Sequence, residues 1–384
     1  MRKRKILFFI NHATFFVSHR LPIALKALEK GDDVYLIVGQ EPSDQDAEHI
    51  KEKIQKLGIN LYRVSFTASF KNIGSEIHGI IQAFSVVKRI NPDLVHCASP
   101  KGNLYGGIIA GLLKINCLVL SISGLGYLFT RKDNFWLKFV NFIYKLFFSY
   151  VVKHKNFKAI VQNLDDKNLL TNVFGINESN IEMIKGSGVD LSKYGEFPLN
   201  KKKKYVLMAS RPVFNKGVEE FIYASKELKK KYPEWNFLFA GGFEYDSPDQ
   251  IPIEIIQKWK SEKNVKFLGH VKDMETLYNE SSIVCLPSYR EGFPKTLMEA
   301  AASGNAIVTT DVTGCRDCVV PNKNAILVNV GDKEELQNAI EVLIINDNLR
   351  FEFAKFGMNY AKENFCLNDI VSKNLIIYDK LCDQ

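Results

Sequence analysis

A chain of 384 residues, 46% hydrophobic and 24% charged, has the makeup of a folded protein of two or three domains, which excludes disordered, collagen-like and disulfide-scaffold classes. The net charge of +8 is unevenly placed: residues 1–200 carry 26 Lys and Arg against 17 Asp and Glu, whereas residues 201–384 carry 25 against 26. A first half at +9 should face something anionic, such as phospholipid head groups, a lipid diphosphate or nucleic acid. Seven scattered cysteines read as reduced cytosolic thiols. No stretch reaches the roughly 18 uninterrupted apolar residues of a spanning helix.

In chain order, the basic start and the apolar run 5–10, broken by Asn11 and His12, predict a buried first strand rather than a signal peptide. Further strands are expected at 33–38, 61–66, 93–98, 117–122 and 158–162, with helical periodicity between them, as at 21–28 and 77–90. The pattern restarts at 204–210, 236–242, 265–269, 282–288 and 306–310. Such alternation predicts an α/β protein of two Rossmann-like, doubly wound parallel-sheet domains facing a central cleft. The expected boundaries are 1–190 and 200–364, joined by the Gly-, Ser-, Pro- and Lys-rich segment 185–204. A last helix, about 365–384, is expected to pack back on the first domain.

The sharpest local signal is 287–308. A strand ends at Pro287, a loop carries Glu291, Gly292 and Phe293, Pro294 fits a first helical position, and Gly304 fits the residue just past the helix. The helix start at Lys295 and Thr296 offers free backbone N–H groups, an anion site suited to phosphate. Glu291 in the loop and Glu299 one turn inside the helix can serve opposite ends of one extended ligand. At another strand end, Arg211 and Lys216 flank a short loop, where a fork and a point charge can clamp a diphosphate.

These pieces, with FAGG at 239–242, FLGHVKD at 267–273 and TGCRDCVVPNKNAILV at 313–328, resemble the nucleotide-sugar domain of retaining GT-B-fold glycosyltransferases of family 4. Segments 15–28, 95–107, 122–130 and 184–190 resemble that family's acceptor-side loops and linker. The chain looks most similar to bacterial enzymes that extend undecaprenyl-diphosphate-linked glycans for O-antigen, capsule or protein glycosylation. The resemblance implies that Arg211 and Lys216 hold the donor diphosphate and that Glu299 accepts hydrogen bonds from the ribose. It implies that Glu291 contacts the donor sugar and that the backbone of Phe293, Pro294, Lys295 and Thr296 holds the β-phosphate. Gly269 and His270 would lie near the uracil, Asn11 and His12 near the diphosphate, and Gly124 and Gly126 on the acceptor side. Neither a cofactor nor a metal ion is implied, because two cations and a helix N-terminus can do a metal's neutralising work. Where many members carry a His-x-His stretch, this chain reads His96-Cys97-Ala98. That leaves His12 and His19 as acceptor-side candidates, although His19 can also cap the first helix, and His96 reads as a core-facing strand residue.

Residues 135–153 form a helical stretch whose polar stripe is only Lys138, Asn141, Lys145, Ser149 and Lys153; much of the rest is aromatic. Two readings stand: a deeply buried helix with one wet edge, or a monotopic helix in the head-group layer of an anionic membrane surface. Cys315 and Cys318 have no second pair at zinc spacing, and no nucleic-acid-binding motif is present. The expected function is transfer of a sugar, an N-acetylhexosamine by preference, from a UDP-sugar to a polyprenyl-diphosphate-linked glycan. The expected location is peripheral, on the inner face of the cytoplasmic membrane. The competing readings are a UDP-N-acetylglucosamine 2-epimerase and a non-catalytic nucleotide-sugar-binding partner.

Overall fold

A computed structural model describes residues 3–40, 44–66, 73–124, 135–194, 198–242 and 249–383. The chain divides into two compact units, the first made of 1–184 with 370–384 and the second of 185–369. The division falls after Ile184 rather than Asp190, and the expected linker 185–204 belongs to the second unit. Its start is tied there by backbone hydrogen bonds, Val189 N to Phe365 O and Leu367 N to Val189 O, at 2.8 and 3.0 Å.

In the first unit run β1 (Lys5–Ile10), α1 (Ala13–His19), α2 (Leu21–Glu29), β2 (Asp33–Val38), α3 (Asp44–Lys56), β3 (Asn60–Arg63) and α4 (Ile73–Ile90). They are followed by β4 (Leu94–Ala98), α5 (Pro100–Leu112), β5 (Cys117–Ile122), α6 (Phe135–Val151), β6 (Phe157–Val161), α7 (Leu164–Phe174) and β7 (Ile181–Met183). All seven strands are parallel, in the order β3-β2-β1-β4-β5-β6-β7. The central strands β4 and β5 are buried at every position, as expected when both faces of a parallel sheet are covered by helices.

The second unit holds β8 (Lys203–Ala209), α8 (Val218–Lys231), β9 (Asn236–Ala240), α9 (Ile253–Glu262), β10 (Val265–Gly269), α10 (Met274–Glu280) and β11 (Ser281–Leu286). Then come α11 (Lys295–Ala302), β12 (Ala306–Thr310), β13 (Ala325–Val328), α12 (Lys333–Ile345) and α13 (Asp347–Asn364). Its six parallel strands run β10-β9-β8-β11-β12-β13, the same 3-2-1-4-5-6 winding as the Rossmann fold. The order reverses between β8 and β11, and that switch point places any ligand beyond their carboxyl ends.

α14 (Leu367–Cys382) returns to the first unit. Arg4 pairs with Asp379 at 2.6 Å, Asn156 Nδ2 donates to Leu381 O at 2.9 Å, and the Tyr378 hydroxyl hydrogen-bonds His96 Nδ1. His96 is fully buried in mid-strand, its other ring nitrogen 2.6 Å from Ser121 Oγ, and burial beside Arg20 holds its pKa well below the ordinary range. It is a packing residue.

The close approach of α5 and α6 depends on glycine. A Cβ on Gly107 would stand 2.3 Å from Val151 Cγ1. Against α5, α6 buries Tyr144, Phe148 and Val151, while Phe142 (63%), Leu146 (57%), Phe147 (47%) and Tyr150 (45%) remain exposed with Lys145. Over its described side chains, 141–151, the deeply buried reading of this helix is therefore overturned, because one face is buried while four large apolar side chains stay exposed. Gly107→Val is expected to push the two helices apart and cost about 1–3 kcal/mol, read as a lower midpoint of urea unfolding.

Candidate functional site

The second unit gathers its polar groups at the switch point. β8 ends at Ala209, and Arg211 follows it, exposed. Residues Phe214–Lys216 make one short turn before α8. Gly217, which closes that turn, has φ +73° and a Cβ position only 2.1 Å from Pro287 O. Only glycine lets the turn lie this close to the exit of β11. The same contact is reinforced by Tyr289 N donating to Asn215 O at 2.9 Å.

The result is a direct ion pair between Lys216 Nζ and Glu291 Oε1, their side chains only 18% and 11% exposed. Ser288 Oγ donates to the same oxygen at 2.8 Å. Lys216 and Glu291, read from sequence as serving separate parts of a ligand, thus form one unit. Both can still turn outward: a paired carboxylate keeps a second oxygen, and an ammonium keeps two further protons.

Next to them α11 begins. Pro294 occupies the N-cap place with extended ψ of 122°, and Lys295 is the first helical residue, one position later than the sequence suggests. No side chain caps this end, so its first N–H groups are left for another acceptor. Thr296 Oγ1 donates to Ala209 O at 3.1 Å, which fixes the helix start to the end of β8. Phe293 is buried and meets Phe365 edge to face, so its side chain packs while its backbone lines the turn.

Glu299 lies one turn in, 3.3 Å from Lys295 and 13% exposed. Burial pushes its carboxyl pKa upward, while Lys295 and a hydrogen bond from Tyr194 pull it down. Tyr278, fully buried, lies beside this carboxylate. Sequence reading missed both tyrosines, which are remote in the chain and reach Glu299 only through the fold. At the ends of β9 and β10, Gly241 N donates to Gly269 O at 2.8 Å, and the side chain of His270 lies over Gly242. The two Gly-containing turns are therefore neighbours. Cys315 and Cys318 are buried free thiols whose pKa values burial raises.

In the first unit, Asn11 follows β1 with a buried Oδ1 that no group satisfies. His12 takes the N-cap place of α1, its Nδ1 3.1 Å from Gln40 O. His19 stands in the last turn of α1, stacked on Phe15 at 4.3 Å and 2.6 Å from Ser18 Oγ. Gly124 N donates to Asp166 Oδ2 at 2.8 Å. Gly126 and the side chain of Lys138 lie outside the described residues, and Lys145 is exposed on α6. Sequence reading also missed a buried cluster at the start of α5: Glu76 accepts from Lys101 at 3.0 Å and from the Tyr105 hydroxyl at 2.9 Å. Arg20 is another, 5% exposed and with its Nε unsatisfied, its pKa pushed down to about 10 by burial.

Removing the Tyr194 hydroxyl takes away a hydrogen bond that favours the ionised form of Glu299. Tyr194→Phe is expected to raise the Glu299 pKa further, measured by carboxyl-carbon NMR titration. A fall would contradict the geometry.

Both units resemble known proteins. Residues 193–360 match the family model for glycosyl transferases group 1, and residues 5–159 match that for glycosyl transferase 4-like domains. The chain is 28% identical to the N,N'-diacetylbacillosaminyl-diphospho-undecaprenol alpha-1,3-N-acetylgalactosaminyltransferase of Campylobacter jejuni, over 97% of this chain and 98% of that one. It is 24% identical to the capsular polysaccharide biosynthesis glycosyltransferase CapM of Staphylococcus aureus, over 95% and 94%. Among solved structures, HepE of Anabaena in complex with UDP superposes with a TM-score of 0.76 at 18% identity, over 98% of this chain and all of that one. With a glycosyltransferase family model matched over each unit, the chain belongs to the GT-B-fold glycosyltransferases.

Proposed function

We propose that the chain is a retaining glycosyltransferase that moves an N-acetylhexosamine from UDP to an undecaprenyl-diphosphate-linked saccharide. The observation that carries this reading is the Lys216–Glu291 pair beside the uncapped start of α11, at the switch point of the second sheet. The N-acetylhexosamine and the lipid carrier come from the Campylobacter jejuni relative, whose name specifies both.

The chemistry follows from charge. The bond from the sugar's anomeric carbon to the diphosphate oxygen breaks, its electron pair leaves with the diphosphate, and the ring acquires oxocarbenium character. Arg211, Lys216 and the N–H groups of Lys295 and Thr296 are assigned to the growing negative charge, and Glu291 to the sugar hydroxyls. Preorganised donors of this kind are the largest catalytic term usually available. The acceptor hydroxyl attacks the same face and passes its proton to the departing phosphate, which retains configuration. Glu299 accepts from the ribose hydroxyls. No metal ion is assigned, since the cations present can balance the leaving group.

We further propose that the protein works at the inner face of the cytoplasmic membrane. Among the described residues no helix is long and apolar enough to cross a membrane. The exposed Phe142, Leu146, Phe147 and Tyr150, with Lys145 among them, support a helix that lies on the surface instead.

Glu291→Ala and Lys216→Ala are each expected to lower transfer by about 10²–10³-fold. Nucleotide release measured across UDP-, GDP- and ADP-sugars, with and without a polyprenyl-diphosphate-linked acceptor, checks both donor and reaction. Acceptor-dependent UDP release is expected, at the same rate in excess EDTA. UDP-sugar isomerisation without acceptor would point to an epimerase.

A further inference from the structure

The first unit carries a second polar concavity at the opposite edge of its sheet. A groove of about 620 Å³ opens where α5 and α6 end and β5 and β6 begin, lined by Gly107, Gly111, Ile115, Tyr150 and His154 among others. It exists because α5 has glycine where a side chain would fill it: a Cβ on Gly111 would stand 3.1 Å from the Tyr150 hydroxyl. His154 pins the floor, its two ring nitrogens each 3.0 Å from a backbone carbonyl oxygen, of Asn156 and of Ile115.

Three lysines, Lys114, Lys153 and Lys155, line this groove, and all are exposed. Among the described residues none of them is ion-paired, unlike Lys158, which meets Glu182 nearby. The carboxyl ends of α5 and α6 also point here, each equivalent to roughly half a negative charge. Three unit charges outweigh them, and no carboxylate is among the lining residues, so the groove is net positive.

Apolar residues border the same opening. Leu112 is 59% exposed just before Lys114, and Tyr150 forms the rim from which Phe147, Leu146 and Phe142 continue along α6. A cationic hollow beside an exposed apolar helix face matches one ligand type, a phosphate head group with acyl chains attached. The acceptor diphosphate is not that ligand. The six residues of β5 separate the groove from the carboxyl edge of the sheet by roughly 20 Å, more than one or two sugars span.

We propose that this groove binds the phosphate head group of an anionic membrane phospholipid, seating α6 in a fixed orientation on the bilayer. The inference rests on the membrane-surface reading of α6 and adds to it a defined lipid site.

The test uses the full chain and co-sedimentation with vesicles of phosphatidylcholine alone or mixed with phosphatidylglycerol. The triple substitution Lys114→Gln, Lys153→Gln, Lys155→Gln is expected to lose about 100-fold in affinity for the anionic vesicles, with turnover of a water-soluble acceptor unchanged. Removing the same charge elsewhere in the unit, at Lys53, Lys56 and Lys88, should cost less than a third of that loss on a logarithmic scale. Equal losses from the two triples, or no loss from the first, overturn the groove. If Phe142→Ser with Leu146→Ser abolishes vesicle binding while the lysine triple does not, the groove fails and the membrane reading stands. If the wild-type chain binds neither vesicle, both fail. Binding of inorganic phosphate in the absence of any vesicle affinity overturns the lipid assignment.

Discussion

The contact between Gly217 and the carbonyl of Pro287 sets the second unit's site. It holds the turn after β8 against the exit of β11, and the Lys216–Glu291 pair can form only while that contact lasts. An ion pair this sheltered gains little net stability, since desolvation cancels much of the attraction. Its value lies elsewhere. A lysine and a glutamate locked together present one cation and one acceptor in fixed relation, and a polar ligand then meets both without reorganising them.

The helix start at Lys295 and the buried Glu299 extend the same logic along α11. One end of the helix offers N–H groups, and one turn further a carboxylate sits among Lys295, Tyr194 and Tyr278. Anion-seeking and hydroxyl-seeking groups are thus spaced along eight residues of rigid helix. In the first unit the polar investment takes another form. Glu76, Lys101 and Tyr105 satisfy one another in the interior at the start of α5, while Asn11 and Asn103 each retain a buried oxygen without a donor.

Much of this was legible in the sequence because parallel strands buried on both faces read as uninterrupted apolar runs, and most of the thirteen strands were found that way. The exceptions, β7 and β13, have three and four residues, too few to show a period. Lys216, Glu291 and Glu299 were visible as motif residues, whereas their pairing was not: it depends on a glycine contact across 70 residues of chain. Tyr194, Arg20 and the Glu76 cluster have no local pattern at all. Composition left helix α6 open between an interior and a membrane-surface reading. Exposure depends on what packs against a helix, and α5 covers only the Tyr144, Phe148 and Val151 face.

The return of α14 to the first sheet has a consequence for biosynthesis. Asp379 pairs with Arg4, Tyr378 with the buried His96, and Leu381 O receives the side-chain amide of Asn156, so the first core is sealed by residues made after the whole of the second unit. The second unit is contiguous and is complete by residue 369. During synthesis the second unit can therefore fold ahead of the first, which waits with one flank uncovered. An early stop codon within α14 would leave that flank open and the chain exposed to proteolysis, even though every residue of the second unit's site had been translated.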